Sequence, residues 1–389
     1  MERIVYLDNS ATTKICPEAL EVYRRVSSEE YGNPSSLHAL GFEAEKILEN
    51  AREVILSTVS AKNSSIVFTA SGSEANNLAI IGRAFAKERY RRGAKIITTE
   101  GEHASVNSPL ERLAKEGFNI VKIPTKNGAI DMDSLKSELT GDVILVTMMM
   151  VNNETGALYD LGKVSSLMKL SCPQAILHAD CTQSYLKLPF TKQSIGADLI
   201  TLSSHKIEGP KGVGALIIDE KVIKGKGLSP LIFGGGQEGG LRSGTENVPG
   251  IAAFAEAARI GFSELRQRFA KTSLLRRKII DDIKANEALS EISFTLPENH
   301  APHILNVTLP KIKSETMLHY LSSLGVYVSS GSACSSNTAH SSSALVAYGR
   351  SSDEADSSIR ISLSHRNTEE DINALTAALD SGIKKLQRK

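Results

Sequence analysis

Between about residues 60 and 220 the chain alternates short apolar runs with longer segments of helical spacing. "SIVFTA" reads as a strand. "SEANNLAIIGRAFAKERYRRG" reads as the helix after it, with Leu78, Ile81 and Phe85 on one face and Gly93 as its stop. The runs "AKIITT", "NIVKIP", "VILVTMMM", "AILHAD", "ADLITLS" and "GALIID" predict further strands. Several are apolar at every position, as strands covered on both faces are. Strand, helix, strand repetition predicts an α/β fold, a mainly parallel sheet between two layers of helices. Such sheets bind ligands beyond the carboxyl ends of their strands. Functional residues should therefore follow the apolar runs.

Beyond residue 220 the pattern changes. Residues 225–244, "GKGLSPLIFGGGQEGGLRSG", hold eight glycines, a loop that needs unusual backbone angles or close approach. A long helical region follows, with Leu265, Phe269, Ile279 and Ile283 at near-helical spacing, and a domain boundary is expected near 255–265. The rest alternates strands ("HILNVTL", "VYVSSG", "SIRISL") with helices. "TEED" at 368–371 is a capping box opening a final helix with Ile372, Leu375, Leu379 and Ile383 on one face.

Composition adds mainly exclusions. With 389 residues, 41% of them hydrophobic and 23% charged, the chain can bury a sizeable core without staples. A net charge of +1 implies no general pull toward nucleic acid or anionic membrane, so neither is an expected partner. No apolar run reaches the ~18 residues of a membrane span. The opening "MERIVYLDNSATT" lacks a signal-peptide stretch and carries acidic residues unlike a transit peptide. The basic close "IKKLQRK" reads as a solvated helix end. The four cysteines form no CxxC pair and no zinc-site spacing, so a reducing cytoplasm is the simplest expectation. Cys16, Cys172 and Cys181 read as small buried hydrophobes. Cys334 lies in "SSGSACSSN", among small polar residues where a core thiol would be out of place.

Five segments after predicted strands carry candidate chemistry. Lys206, in "SHKIEGPKGVGAL", is placed to point into a crevice, where partial desolvation makes a lysine a usable amine nucleophile and a Schiff-base former. An ordinary surface lysine is the simpler alternative. Asp180 and Gln183, in "HADCTQS", could hold a positive charge such as a protonated pyridine nitrogen, or simply cap a turn. Gly72 and Ser73 sit between strand and helix, where backbone N–H groups, the helix dipole and the hydroxyl form an anion site or a plain cap. His103 could stack on a planar ring or move a proton, or be structural. In "VNNETG", Asn152 and Asn153 could bond a ligand oxygen or shape a turn. Together these residues suggest a phosphate, a planar ring, a pyridinium and an imine-forming lysine in one crevice.

In order and spacing, "YLDNSATT", "YGNPSS", "FTASGSEANNLAI", "VNNETG", "DCTQS", "SSHKIEGPKGVGAL", "GGGQEGGLRSGTENVPG", "SSGSAC" and "SIRISL" resemble the cysteine desulfurase family. That family, of the NifS/IscS kind, belongs to the class V aminotransferase group of fold-type I pyridoxal-phosphate enzymes. The resemblance covers nearly the whole chain. It implies a large domain, 15–258, with a mainly parallel seven-stranded sheet, and a smaller α+β domain from 1–14 and 259–389. It implies pyridoxal 5'-phosphate as cofactor, with Lys206 as its Schiff-base lysine. Asp180 would face the pyridine nitrogen, Gln183 the ring hydroxyl and His103 the ring face. Gly72, Ser73, Ser203 and His205 would hold the phosphate, joined by Thr245 across a homodimer. Asn153 and Arg360 would hold the substrate carboxylate, Arg because its planar fork matches one. Lys206 would be the base, with His103 a proton carrier. Cys334 would be the nucleophile that takes sulfur from L-cysteine as a persulfide, releasing alanine. The sulfur would pass to an acceptor protein, an iron–sulfur scaffold or a tRNA-thiolation protein. Other readings are a transaminase, a selenocysteine lyase or a non-catalytic scaffold. A scaffold would predict loss of Lys206, Asp180 or Cys334, and all three are present. Ser10, Ser73 and Cys181 depart conservatively from the family's pattern, and Tyr159 in "TGALYDL" stands where a different residue is expected.

Overall fold

The computed structural model describes residues 4–87, 93–330 and 342–387. After a two-residue strand β1 (Val5–Tyr6) come the seven strands of the main sheet. They are β2 (Ser64–Thr69), β3 (Lys95–Thr99), β4 (Asn119–Ile123), β5 (Val143–Met149), β6 (Ile176–Asp180), β7 (Leu199–Ser203) and β8 (Gly214–Asp219). Their spatial order is β2-β8-β7-β6-β5-β3-β4, and β8 alone runs antiparallel to its neighbours. Each apolar run singled out above forms one of these strands.

Alternate side chains of the sheet serve opposite layers. Ile97, Val146, Leu177, Ile200 and Ile217 join the core beneath helices Pro17–Ser28, Ala39–Thr58 and Val248–Ser263. Ile96, Leu145, Ile176, Leu199 and Leu216 join the core beneath helices Gly72–Ala84 and Ala104–Lys115. Both faces are dry, which is why the runs show no period of two. Phe254, fully buried, stands edge-on to Tyr185 at 6.4 Å, and the Tyr185 hydroxyl shares a 2.8 Å hydrogen bond with Thr58.

The later strands are β9 (Ser293–Thr295), β10 (Ile304–Thr308), β11 (Val326–Tyr327), β12 (Ser329–Ser330) and β13 (Ser358–Ser362). Four make an antiparallel sheet in the order β12-β13-β10-β9, while β11 pairs in parallel with β1. "VYVSSG" therefore divides between two sheets. Helices Leu265–Ala285, Ser314–Ser323 and Glu369–Leu386 accompany them. This second core takes Val5 and Leu7 from the amino-terminal segment, with Ile279, Ile283, Val307, Ile359 and Ile361. The capping box forms as expected: Thr368 accepts from the Asp371 N–H, and Asp371 accepts from the Thr368 N–H. Ile372, Leu375, Leu379 and Ile383 are all buried beneath that helix.

Two expectations need correction. The helix after β2 ends at Ala84, well short of Gly93. Ser229 takes its last carbonyls, donating N–H to Gly82 and hydroxyl to Phe85, and the Phe85 ring stands edge-on to Phe118 at 5.9 Å. In helix Leu265–Ala285 the core is reached by Leu275, Ile279 and Ile283, while Phe269 in its early turns stays 36% exposed. Among the described residues no helix is long and apolar enough to cross a membrane.

Phe254→Ala should cost about 3–5 kcal/mol, by removing a fully buried ring from the main core. The expected readout is a lower urea midpoint.

Candidate active site

A cavity of about 320 Å³ opens at the carboxyl ends of β2, β3, β5, β6 and β7. Gly72, Ser73, His103, Asn153, Asp180, Gln183, Ser203, His205, Lys206 and Arg360 all line it. Thr245 does not; it is exposed in the glycine-rich loop, where Gly236, Gly239, Gly240 and Gly244 all take positive φ. Cys334 lies outside the described residues. On one side of it in sequence, Ser329 and Ser330 line the cavity. On the other, the Ser342 hydroxyl donates to Glu154, another lining residue.

Lys206 ends a single helical turn, Ser204–Lys206, directly after β7. The amino-terminal segment crosses over this turn. Lys206 Nζ donates to the carbonyls of Ser10 at 2.5 Å and Ala11 at 2.7 Å. Thr13 fastens the crossing, its hydroxyl donating to the His205 carbonyl and accepting from the Glu208 N–H, both at 2.8 Å. Gln183 Nε2 donates to the same Ser10 carbonyl at 2.9 Å. Burial first, then the positive charge of Lys206, lowers the His205 pKa to about 4, so its ring is neutral near pH 7. Ser10 and Ala11 act through backbone oxygens, which no residue pattern advertises.

Asp180 closes β6. Its Oδ1 accepts from the Thr182 N–H at 2.9 Å and its Oδ2 from Asn76 Nδ2 at 2.8 Å. Sequence reasoning missed both partners, although Asn76 stands one turn from Ser73 on the helix that starts at Gly72, a spacing that places them on one face. That helix is capped by Ser71, which accepts from the Glu74 N–H at 3.1 Å. Gly214 of β8 lies against its start: a Cβ there would stand 2.4 Å from the Ser71 carbonyl carbon. A Cβ on Gly72 already meets Ser203 and Thr182 at 3.2 Å. Glycine at 214 thus lets the helix end sit directly on the sheet.

His103 caps the helix Ala104–Lys115. Its Nδ1 accepts from the Ser105 N–H at 3.1 Å, which puts the neutral ring's proton on Nε2. Burial lowers its pKa, and the charge of Asp180 partly opposes this. Beneath it Glu102 is buried, accepting from Thr99 at 2.6 Å and from the Met149 N–H at 2.9 Å. Burial raises the Glu102 pKa to about 8 against those hydrogen bonds. Asn152 shapes its turn, accepting the Glu154 and Thr155 N–H groups and donating to the Gly101 carbonyl at 2.9 Å. The Tyr159 hydroxyl, the Asn152 amide and Thr125 close over Gly101, which gives Tyr159 a place: it buttresses the turn that carries His103. Arg360, on β13, donates to the Asn153 carbonyl at 2.9 Å and to Asp8 at 3.0 Å.

The comparisons with known proteins agree with this arrangement. The family described as aminotransferase class-V matches residues 5–375. Cysteine desulfurase IscS 1 of Archaeoglobus fulgidus is 36% identical over 98% of this chain and 97% of its own. Cysteine desulfurase IscS of Dictyoglomus turgidum is 37% identical over 100% of this chain and 96% of its own. The chain belongs to the cysteine desulfurase family of class-V aminotransferases. A solved NifS-like protein, 33% identical, superposes over 100% of both chains with a TM-score of 0.90, so the fold is that of fold-type I enzymes.

The residues present fit the cofactor of such a family. Gln183 Oε1 and Arg360 Nε are buried and bond no described residue, one acceptor and one donor suited to a ring hydroxyl and a carboxylate. The helix starting at Gly72 offers an anion the N–H groups of its first turn. Asp180 offers a carboxylate to a protonated ring nitrogen.

Because burial outweighs Asp180 at His103, the His103 imidazole should titrate below the ordinary 6.5. Asp180→Asn removes the charge that raises it and should lower the midpoint further. NMR of histidine-labelled protein across pH 4–8 checks both.

Proposed function

We infer that this protein is a pyridoxal-phosphate-dependent cysteine desulfurase, converting L-cysteine to L-alanine and carrying the sulfur on Cys334. The observation that supports this best is the meeting of Lys206, Asp180, Gln183 and Arg360 in one cavity, in a chain whose relatives are cysteine desulfurases along their full length. Pyridoxal phosphate, when bound, supplies an electron sink for bonds at the substrate α-carbon. The chain supplies binding, orientation and proton transfer. Gly72, Ser73, Ser203 and His205 would hold the phosphate, with the partner subunit's Thr245 completing the site. Asp180 would keep the ring nitrogen protonated, Gln183 would bond the ring hydroxyl and His103 would lie against the ring.

Arg360 Nε bonds no described residue, and with Asn153 this guanidinium would seat the substrate carboxylate. That fixes the Cα–H bond toward Lys206, which takes the proton. Neutral His103 would pass a proton at the substrate sulfur through Nε2. The Cys334 thiolate then attacks that sulfur: a sulfur–sulfur bond forms, the carbon–sulfur bond breaks, and alanine leaves after protonation at carbon. An acceptor, an iron–sulfur scaffold or a tRNA-thiolation protein, takes the sulfur from Cys334.

A homodimer fits the exposed apolar side chains, and a reducing cytoplasm fits the free, buried Cys16, Cys172 and Cys181. Leu37 is 91%, Tyr31 68% and Phe233 80% exposed, apolar area that a partner subunit would cover.

With L-cysteine, sulfide (in the presence of a thiol) and alanine should appear in equal amounts. Cys334→Ser should reduce sulfide release on the order of 10³-fold or more while bound pyridoxal phosphate still colours the protein. Full sulfide release by that variant would remove Cys334 from its role. Lys206→Ala should abolish the lysine–cofactor chromophore, and sedimentation should give twice the chain mass.

A further inference from the structure

Asn76 is buried in the second turn of helix Gly72–Ala84, beside the start of helix Ala104–Lys115. Both protons of its amide are used. Nδ2 donates to Asp180 Oδ2 at 2.8 Å and to Ser105 Oγ at 2.9 Å. Its Oδ1 is buried and bonds no described residue. Leaving an amide oxygen unpaired is costly. Turning the amide over would instead aim that oxygen at the Asp180 carboxylate. The charge of Asp180 therefore decides which way the amide points.

Ser105 accepts one of these protons at Oγ, which leaves its own hydroxyl proton for His103 Nδ1 at 2.9 Å. The Ser105 N–H donates to the same nitrogen at 3.1 Å. A helix cap is ordinarily a Ser, Thr, Asp or Asn oxygen. With a histidine as the cap, the bond that closes the helix also selects the tautomer. Nδ1 accepts from two donors, and the ring's one proton stands on Nε2. A protonated ring would set an Nδ1 proton against both donors, so the chain acts in the same direction as burial in keeping the ring neutral. Asp180, Asn76, Ser105 and His103 all line the main cavity, although they come from three separate elements.

We propose that Asn76 and Ser105 are positioning residues: a one-way hydrogen-bond chain from Asn76 through Ser105 to His103, oriented by the Asp180 carboxylate, holds the His103 proton on Nε2. This rests on the reading of His103 as the group that carries a proton at the substrate sulfur. The chain ties the residue that faces the ring nitrogen to the residue that faces the ring, so neither can turn without disturbing the other.

The test reads the His103 ring directly. Full-length, cofactor-loaded protein with nitrogen-15 in its histidine rings is studied by NMR at pH 7.5, and His103 is assigned by the signals lost in His103→Gln. The unaltered protein should show Nδ1 as a hydrogen-bonded acceptor and the proton on Nε2. Ser105→Ala should move the Nδ1 resonance toward that of an unbonded acceptor, and Ser105→Thr should restore it. Asn76→Leu, which removes no contact of His103 itself, should move it the same way by a smaller amount, since a donor hydroxyl weakens when it no longer accepts. With L-cysteine, kcat should fall about tenfold in Ser105→Ala and Asn76→Leu with KM changed about twofold or less, and Ser105→Thr should recover it. An unchanged Nδ1 resonance in folded Ser105→Ala overturns the proposal, as does a His103 proton found on Nδ1 in the unaltered protein. A response to Ser105→Ala with none to Asn76→Leu overturns it as well, because the chain would then begin at Ser105. Should Asn76→Leu fail to fold, Asn76→Ala gives the same comparison. If His103→Gln keeps full activity, the reading of His103 fails, while the nitrogen resonances report on the chain separately.

Discussion

The hydrogen bonds from Lys206 Nζ to the Ser10 and Ala11 carbonyls organise the rest of the site. They join the turn after β7 to a segment that begins in the second core, through Val5 and Leu7, and ends in the first. Along that segment Asp8 pairs with Arg360, Asn9 binds Ser362, Ser10 receives Gln183 and Thr13 holds the turn of His205 and Glu208. One short stretch therefore sets the positions of the Lys206 amine, the Gln183 amide and the Arg360 guanidinium relative to one another. Carbonyl oxygens suit this task, since they accept from the amine without bringing a charge of their own.

The electrostatic character follows from where the polar groups are buried. Lys187, Lys206 and Arg360 crowd one side of the sheet edge, and Glu208 is committed to Arg268 and Arg366. On the other side Asp180 is oriented by Asn76 and the Thr182 N–H. An asymmetric field of this kind favours a ligand with its positive end toward Asp180 and its anionic groups toward Arg360 and the helix starting at Gly72.

Much of this was legible in the sequence, for a physical reason. Strands covered on both faces are mainly apolar, and the few polar residues in β5, β6 and β7 (Thr147, His178 and Thr201) satisfy one another, so these strands and the places of Asp180 and Lys206 at their ends stand out. The helix end at Ala84 was illegible, because Ser229, far away in sequence, takes its last carbonyls. Ser10 and Ala11 were missed because backbone oxygens leave no trace in residue identity. Asn76 was readable from its spacing to Ser73 and was passed over. Lys187 lies in "YLKLP", a run that looks like any turn until its amine is found inside.

The Ser342 hydroxyl on Glu154 and the pairing of Ser329 with Arg360 root both ends of the 331–341 segment in the cavity wall. With its roots held by the scaffold, the length between them becomes an independent variable. The same cavity wall can therefore be kept in chains whose segment at this place is longer or shorter.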